Sequence, residues 1–110
     1  MTDKIVVLCT CGAAEDGERL GRALVEAGLA ACVSILPGAR SIYRWKGEME
    51  SAAEALLLIK SSRGRFPALR EAIESMHPYE VPEVLALPVV DGAPNYLEWL
   101  DASLAAGDAA

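Results

Sequence analysis

A chain of 110 residues is long enough for one hydrophobic core and too short for two, so we expect a single domain over residues 1–110. Its formal net charge of −6 repels phosphate backbones and anionic lipids, which argues against nucleic acid and membrane as partners. No run reaches the roughly 18 apolar residues of a membrane span, and the N-terminal residues lack a signal-peptide pattern.

The cysteine and apolar content indicate where the protein works and how it assembles. Three cysteines, an odd number, argue for free thiols rather than a disulfide framework, and we therefore expect a cytoplasmic protein. The apolar share of 53% is high for a small monomer. Although alanine inflates that share, we expect part of the apolar surface to be buried between subunits.

The first elements are a strand and a helix. Residues 4–10 form an apolar, β-branched run that is typical of a central strand. Helical spacing follows from residue 13 to a stop at Gly28. Gly17 and Gly21 each weaken this helix by about 1 kcal/mol relative to alanine, so tertiary packing has to hold it.

The middle of the chain predicts a long hairpin. A bulge or bend is expected at Pro37-Gly38, because proline removes a backbone donor and glycine permits a positive φ. The predicted parts of the hairpin are strand residues 31–36 and 40–46, a turn at Gly47 and Glu48, and a third strand at 52–60. Alternation places Ser41, Tyr43 and Trp45 on one side, with Ile42, Arg44 and Lys46 on the other.

The second half of the chain repeats the helix and strand pattern. We predict a helix over residues 63–76 that ends at His77-Pro78, a strand over 84–90, and a last helix over 96–105 capped by Asn95. The order βαββαβ plus a C-terminal helix predicts an α+β ferredoxin-like sandwich, with an antiparallel sheet and two helices on one face. The other face has no cover, which argues for an oligomer.

The residues also resemble the CutA family of divalent-cation tolerance proteins over residues 6–104. The similarity rests on LAACVSILPGARSIYRWKGEME at 29–50, LLLIKS at 56–61, HPYEVPE at 77–83 and NYLEWL at 95–100. The resemblance implies a homotrimer of ferredoxin-like subunits, architecturally related to the PII signalling proteins. It also implies a role in tolerance of copper and other divalent metals.

Cys9, Cys11, Met76 and His77 are the candidate metal ligands. Two cysteines two residues apart on a strand point to the same face, which suits Cu(I), and a nearby imidazole would suit Cu(II) or Zn(II). The resemblance associates a copper site with Cys9 and His77, and it places Met76 where some members have another histidine. The alternatives are that the thiols are small core hydrophobes and that His77 only caps a helix.

A second candidate site is an aromatic and basic cluster. Its members are Tyr43, Arg44, Trp45, Lys46 and Tyr79, and Glu80 is a further candidate. Trp99 is assigned to the interface, where we expect it to pack the last helix against a neighbouring subunit. In a trimer the cluster residues would line a cleft between subunits and receive a small anionic or planar ligand. The alternative is that the aromatic residues pack in an interface and Arg44 pairs with glutamates of a neighbour.

Two functions therefore remain open from the sequence. The first is a trimeric protein that binds copper or another divalent cation and catalyses no reaction. The second is a PII-like regulatory module that binds a small molecule between subunits. A hydrolase of the acylphosphatase kind is disfavoured, because residues 10–16 contain no arginine that would hold a phosphate.

Overall fold

The computed structural model describes residues 1–108, in which four strands form one antiparallel sheet. In chain order the elements are β1 (Lys4–Cys11), α1 (Ala14–Glu26), β2 (Cys32–Trp45), β3 (Glu48–Ser62), a 3₁₀ turn (Arg63–Arg65), α2 (Phe66–Met76), β4 (Leu85–Pro88) and α3 (Pro94–Asp108). The strand order is β2-β3-β1-β4, with β1 in the interior of the sheet. The predicted α+β ferredoxin-like fold is confirmed.

The core lies between the sheet and the layer formed by α1 and α2. Alternate residues of β1 are buried on this side, and the same holds along the second half of β3. The main contributors are Ile5, Val7, Cys9, Cys11, Leu20, Leu24, Leu57, Ile59, Leu69 and Ile73.

Two glycines let α1 approach the sheet closely. A β-carbon at Gly17 would lie 2.8 Å from the Leu57 side chain, and one at Gly21 would lie 3.2 Å from Val33. Both glycines are buried. Packing therefore holds the helix despite their low helix propensity, as predicted.

A β-bulge in β2 changes which side chains face the helices. Leu36 pairs with Leu56 and Ala39 pairs with Glu54, so Pro37 and Gly38 lie opposite a single residue of β3. The predicted bulge at Pro37-Gly38 is confirmed. Because one extra residue reverses the alternation, odd-numbered residues face the helices before the bulge and the opposite side after it.

Beyond the bulge, β2 and β3 continue as an arm that closes in a two-residue turn. Lys46 and Gly47 have φ values of 50° and 85°, as in a type I′ turn, so the predicted turn is displaced by one residue. The predicted start of β3 at residue 52 was wrong, since pairing begins at Glu48. The polar residues of an exposed arm do not give the apolar signal on which that prediction relied.

The remaining differences concern element ends. The predicted strand at 84–90 shortens to β4, although the Val89 backbone beyond it still donates to the Lys4 carbonyl and accepts from the Thr2 N–H. The last helix begins at Pro94, a residue preorganised for a first turn, so Asn95 lies inside α3 and is not its cap. Residues 63–65 form a 3₁₀ turn, and α2 proper begins at Phe66.

The opposite side of the sheet carries an apolar surface that we call the open face. Its members are Val6, Leu8, Leu56, Leu58, Leu85 and Leu87, which face the same way in the strand register. The β4 members Leu85 and Leu87 are 56% and 47% exposed. At one end of the sheet, α3 packs Leu100 and Leu104 against Ala31.

Candidate functional site

Two cysteines and the single histidine form a buried cluster at the end of β1. Cys9 and Cys11 point towards the helix layer because they are two residues apart on one strand. His77 follows the last residue of α2 and is only 8% exposed. One donor atom from each residue lies within 4.8 Å of the other two, and the Cys11 sulfur is 3.7 Å from His77 Nε2.

Both ring nitrogens of His77 already make hydrogen bonds. Nε2 donates to the Thr10 carbonyl over 2.7 Å, and Nδ1 accepts from the Tyr79 N–H over 3.1 Å. Pairing between β1 and β4 ends at Leu8, so this imidazole bonds the β1 backbone beyond the end of β4. A metal ion on Nε2 would replace the bond to Thr10.

The thiols are held in their neutral form. Burial raises the pKa of Cys9 to about 12, and the neighbouring Cys11 contributes to this rise. Burial also raises the pKa of Cys11, with a further contribution from Asp16. Two thiols and one imidazole nevertheless fit the donor preferences of copper and zinc, and a bound cation would stabilise the thiolates that it needs.

The third predicted sulfur ligand lies in a different environment. Met76 is the last residue of α2, and its side chain is 38% exposed, whereas the three clustered donors are buried.

A cleft of about 630 Å³ lies beside the cluster, between the arm and the loop after α2. It is lined by Thr10, Ser41, Ile42, Tyr43, Trp45, Glu50, Glu54, Tyr79, Glu80, Val81 and Glu83, and we call this set the cleft. The Tyr79 ring contacts the ring of His77, with centroids 4.6 Å apart. The cleft and the cysteine cluster are therefore neighbours.

The innermost acidic residue of the cleft is Glu54. It is only 8% exposed, and one carboxylate oxygen accepts a 2.7 Å hydrogen bond from the Tyr79 hydroxyl. Burial, and then this bond, raise the pKa of Tyr79 well above its usual range, so the hydroxyl remains a donor. Sequence reasoning missed Glu54 and Glu50. Their period-two spacing along β3 was the available signal, since it places both on the side of Tyr43 and Trp45.

The structure brings together some of the predicted cleft residues and separates others. Tyr43, Trp45, Tyr79 and Glu80 line the cleft. Lys46 lies at its edge, 3.9 Å from Glu80 and 5.6 Å from the Trp45 ring centroid.

Arg44 and Trp99 lie elsewhere. Arg44 is opposite Met49, on the other side of the arm, because side chains alternate along the strand. Trp99 stacks on Tyr96 of α3, with centroids 5.6 Å apart. Among the described residues, four glutamates line the cleft and no basic residue does, so the lining in the single chain favours a cation. The anionic or planar ligand expected between subunits of a trimer stays a prediction.

The fold and the cluster together define a class: a ferredoxin-like α+β protein with a buried pair of thiols beside an imidazole. The sequence comparison is more specific, since the family described as CutA1 divalent ion tolerance protein matches residues 5–103. This chain belongs to that family. Among the described residues, no helix is long and apolar enough to cross a membrane.

Relatives from several bacteria support this assignment. The divalent-cation tolerance protein CutA of Thermus thermophilus is 50% identical over 86% of this chain and 92% of its own. The protein of the same name from Pectobacterium atrosepticum is 46% identical over 94% of both chains. The crystal structure of CutA from Xylella fastidiosa superposes with a TM-score of 0.91 at 39% identity, covering 94% of this chain and 99% of that one.

Proposed function

We propose that this protein acts in divalent metal tolerance by binding copper, or another divalent cation, through Cys9, Cys11 and His77, without catalysing a reaction. The observation that carries the proposal is the position of three buried donors within 4.8 Å of one another. Soft sulfur and borderline nitrogen donors suit copper better than they suit magnesium or calcium. The relatives named divalent-cation tolerance proteins support the same biological role.

Metal binding at the proposed site would displace protons from its donor groups. Each thiol has to lose its proton, and Nε2 of His77 has to give up its bond to Thr10. The three protein donors leave further coordination positions for water or another ligand. Met76 is a candidate fourth donor for Cu(I), because it adjoins His77 in sequence.

Metal titration of matched cysteine variants tests the site. The affinity for Cu(I), measured anaerobically against a chromogenic chelator, should fall by about 100-fold in Cys9→Ser and Cys11→Ser, because even residues that only orient ligands cost about 10- to 100-fold. Cys32→Ser is the matched control, since Cys32 is free and lies outside the cluster. The same titration with Zn(II) ranks the two metals. Equal affinities in all three variants would reject the site.

The proposed assembly is a PII-like homotrimer. Its support is the open face, on which Leu85 and Leu87 are about half exposed in the single chain, and an arm that extends beyond the sheet. We also propose a cytoplasmic location. The three free cysteines favour a reducing compartment.

A second function is suggested by the cleft. A cavity of about 630 Å³ with aromatic walls falls in the size range of small-molecule sites, which favours a PII-like regulatory role. Mass spectrometry of gently purified protein should then find a stoichiometric metabolite that Trp45→Ala abolishes. Protein that remains unliganded across a metabolite panel would leave metal binding as the sole function.

A further inference from the structure

We infer that the cleft binds an organic cation: a protonated amine whose apolar body lies against the aromatic walls. The inference rests on the second proposed function, small-molecule binding in the cleft, and is independent of the cysteine cluster. Its starting observation is the lining of the cleft, which contains both aromatic rings and carboxylates.

The charges of the lining residues favour a ligand of positive charge. Glu50, Glu54, Glu80 and Glu83 all line the cleft. The Lys46 ammonium at the edge neutralises at most one of these carboxylates. An anion entering the cavity would therefore be repelled, whereas a cation would be attracted.

The walls select an organic cation over a bare metal ion. Tyr43, Trp45 and Tyr79 present aromatic rings, which attract ammonium groups electrostatically and cover apolar carbon. A hard divalent ion needs six or more oxygen ligands at about 2 to 2.5 Å and gains little from aromatic rings. A cavity of about 630 Å³ is also far larger than one ion and suits a small organic molecule.

Glu54 is positioned to receive the charged end of the ligand. It is buried, and the Tyr79 hydroxyl fixes one of its oxygens. Tyr79 is the one hydrogen-bond donor to Glu54 in the described part of the chain. The second oxygen therefore remains available to a ligand ammonium, which would form a charge-assisted hydrogen bond.

Lys46 shows that an ammonium group of this protein already contacts an aromatic ring and a carboxylate at the edge of the cleft. Its ammonium lies 5.6 Å from the Trp45 ring centroid and 3.9 Å from a Glu80 oxygen. The edge of the cleft thus already combines an aromatic ring, a carboxylate and an ammonium. A ligand amine would make the same kinds of contact deeper in the cavity. The positive charge of Lys46 would weaken its binding by repulsion.

The test uses three probes with one body and different charges: phenethylammonium, phenethyl alcohol and phenylacetate. Binding is followed by the indole N–H signals in ¹H–¹⁵N spectra of the whole protein, since the chain has two tryptophans and Trp99 lies outside the cleft. We expect the amine to shift the Trp45 signal and leave the Trp99 signal unchanged. The alcohol should bind at least about tenfold more weakly, because it lacks the charge.

Three variants sharpen the test. Glu54→Gln should weaken amine binding by at least about tenfold. Glu71→Gln makes the same charge change at an exposed position on α2 outside the cleft and should have little effect. Lys46→Asn should strengthen binding, and asparagine tolerates the positive φ at that position.

Several results would overturn the inference. These are equal binding of amine and alcohol, equal losses in Glu54→Gln and Glu71→Gln, or Ca²⁺ shifting Trp45 where the amine does not. Failure of all three probes, as expected if a neighbouring subunit fills the cavity, would also overturn it. Cys11→Ser should retain amine binding, so failure here is distinguishable from failure of the metal site.

Discussion

Gly17 of α1 lies so close to Leu57 of β3 that a β-carbon on residue 17 would come within 2.8 Å of the leucine Cδ2 atom. Gly17→Ala should therefore destabilise the protein by about 1 kcal/mol: the gain in helix propensity is about 1 kcal/mol, and overpacking costs about 1 to 3 kcal/mol. Thermal unfolding at fixed protein concentration measures the change.

Gly64 provides the matched control for that substitution. A β-carbon there meets no atom within 4 Å, and the residue lies in the 3₁₀ turn before α2. Gly64→Ala should leave the melting temperature nearly unchanged. A Gly17→Ala variant as stable as wild type would mean that α1 can move away from β3 at little cost.

The Lys4 side chain, which is 5% exposed, links β1 to α3 by a 2.6 Å ion pair with Asp101 and also contacts Asp3. Asp101→Asn should weaken the docking of α3 by about 1 to 2 kcal/mol. Hydrogen exchange should then accelerate in α3 while β3 stays protected. Glu98→Gln on the same helix is the control, and equal exchange in both variants would contradict the assigned role of Asp101.

The same ion pair gives a dependence on alkaline pH. Burial lowers the pKa of Lys4, but its bonds to Asp101 and Asp3 outweigh burial and raise the pKa above its usual 10.5. The stabilisation is therefore fully present below pH 10.5 and disappears as pH rises through the higher folded value. Protection of α3 should decline in that alkaline range in wild type and decline less in Asp101→Asn. Parallel declines in the two proteins would contradict this coupling.

Tyr79→Phe removes the hydroxyl that donates to the buried Glu54. Leaving a buried carboxylate without this donor should cost about 1 to 3 kcal/mol in the free energy of unfolding. Denaturant unfolding measures this cost. Tyr96→Phe is the control, because Tyr96 is half exposed and contacts Trp99 through its ring. Similar losses in both variants would show that the bond to Glu54 contributes little.

Charge placed on the open face tests the proposed trimer. Leu87→Glu should dissociate the assembly, because a carboxylate buried between subunits is strongly unfavourable. Val25→Glu introduces the same charge on α1, in the opposite layer, and should leave assembly intact. Sedimentation velocity distinguishes the species. A wild-type protein that sediments as a monomer at micromolar concentration would contradict the trimer.

The sequence predicts well those features that depend on local spacing. Cys9 and Cys11 share a face because strand side chains alternate, and the bulge follows from Pro37-Gly38. His77 lies 66 residues from Cys11, so its approach depends on the packing of the whole sheet and α2. In advance, the family resemblance linked Cys9 with His77. Spacing alone could not have done so.

The cleft was only partly predictable for the same physical reason. Tyr43 and Trp45 were correctly placed on one side of a strand. Glu54 resembled an exposed strand residue, and its burial depends on Tyr79, which comes from a distant loop. Trp99 was expected to pack the last helix against a neighbouring subunit, and within one chain it stacks on Tyr96.

The extra residue at Pro37-Gly38 also has a genetic consequence. Loss of a single codon there would let Tyr43 and Trp45 move to the helix side of the arm while almost every amino acid is retained. The exposed tip of the arm should therefore accept paired insertions, one residue in each strand, far more readily than an unpaired deletion near the bulge. Length variation among natural sequences of this kind should follow that rule of parity.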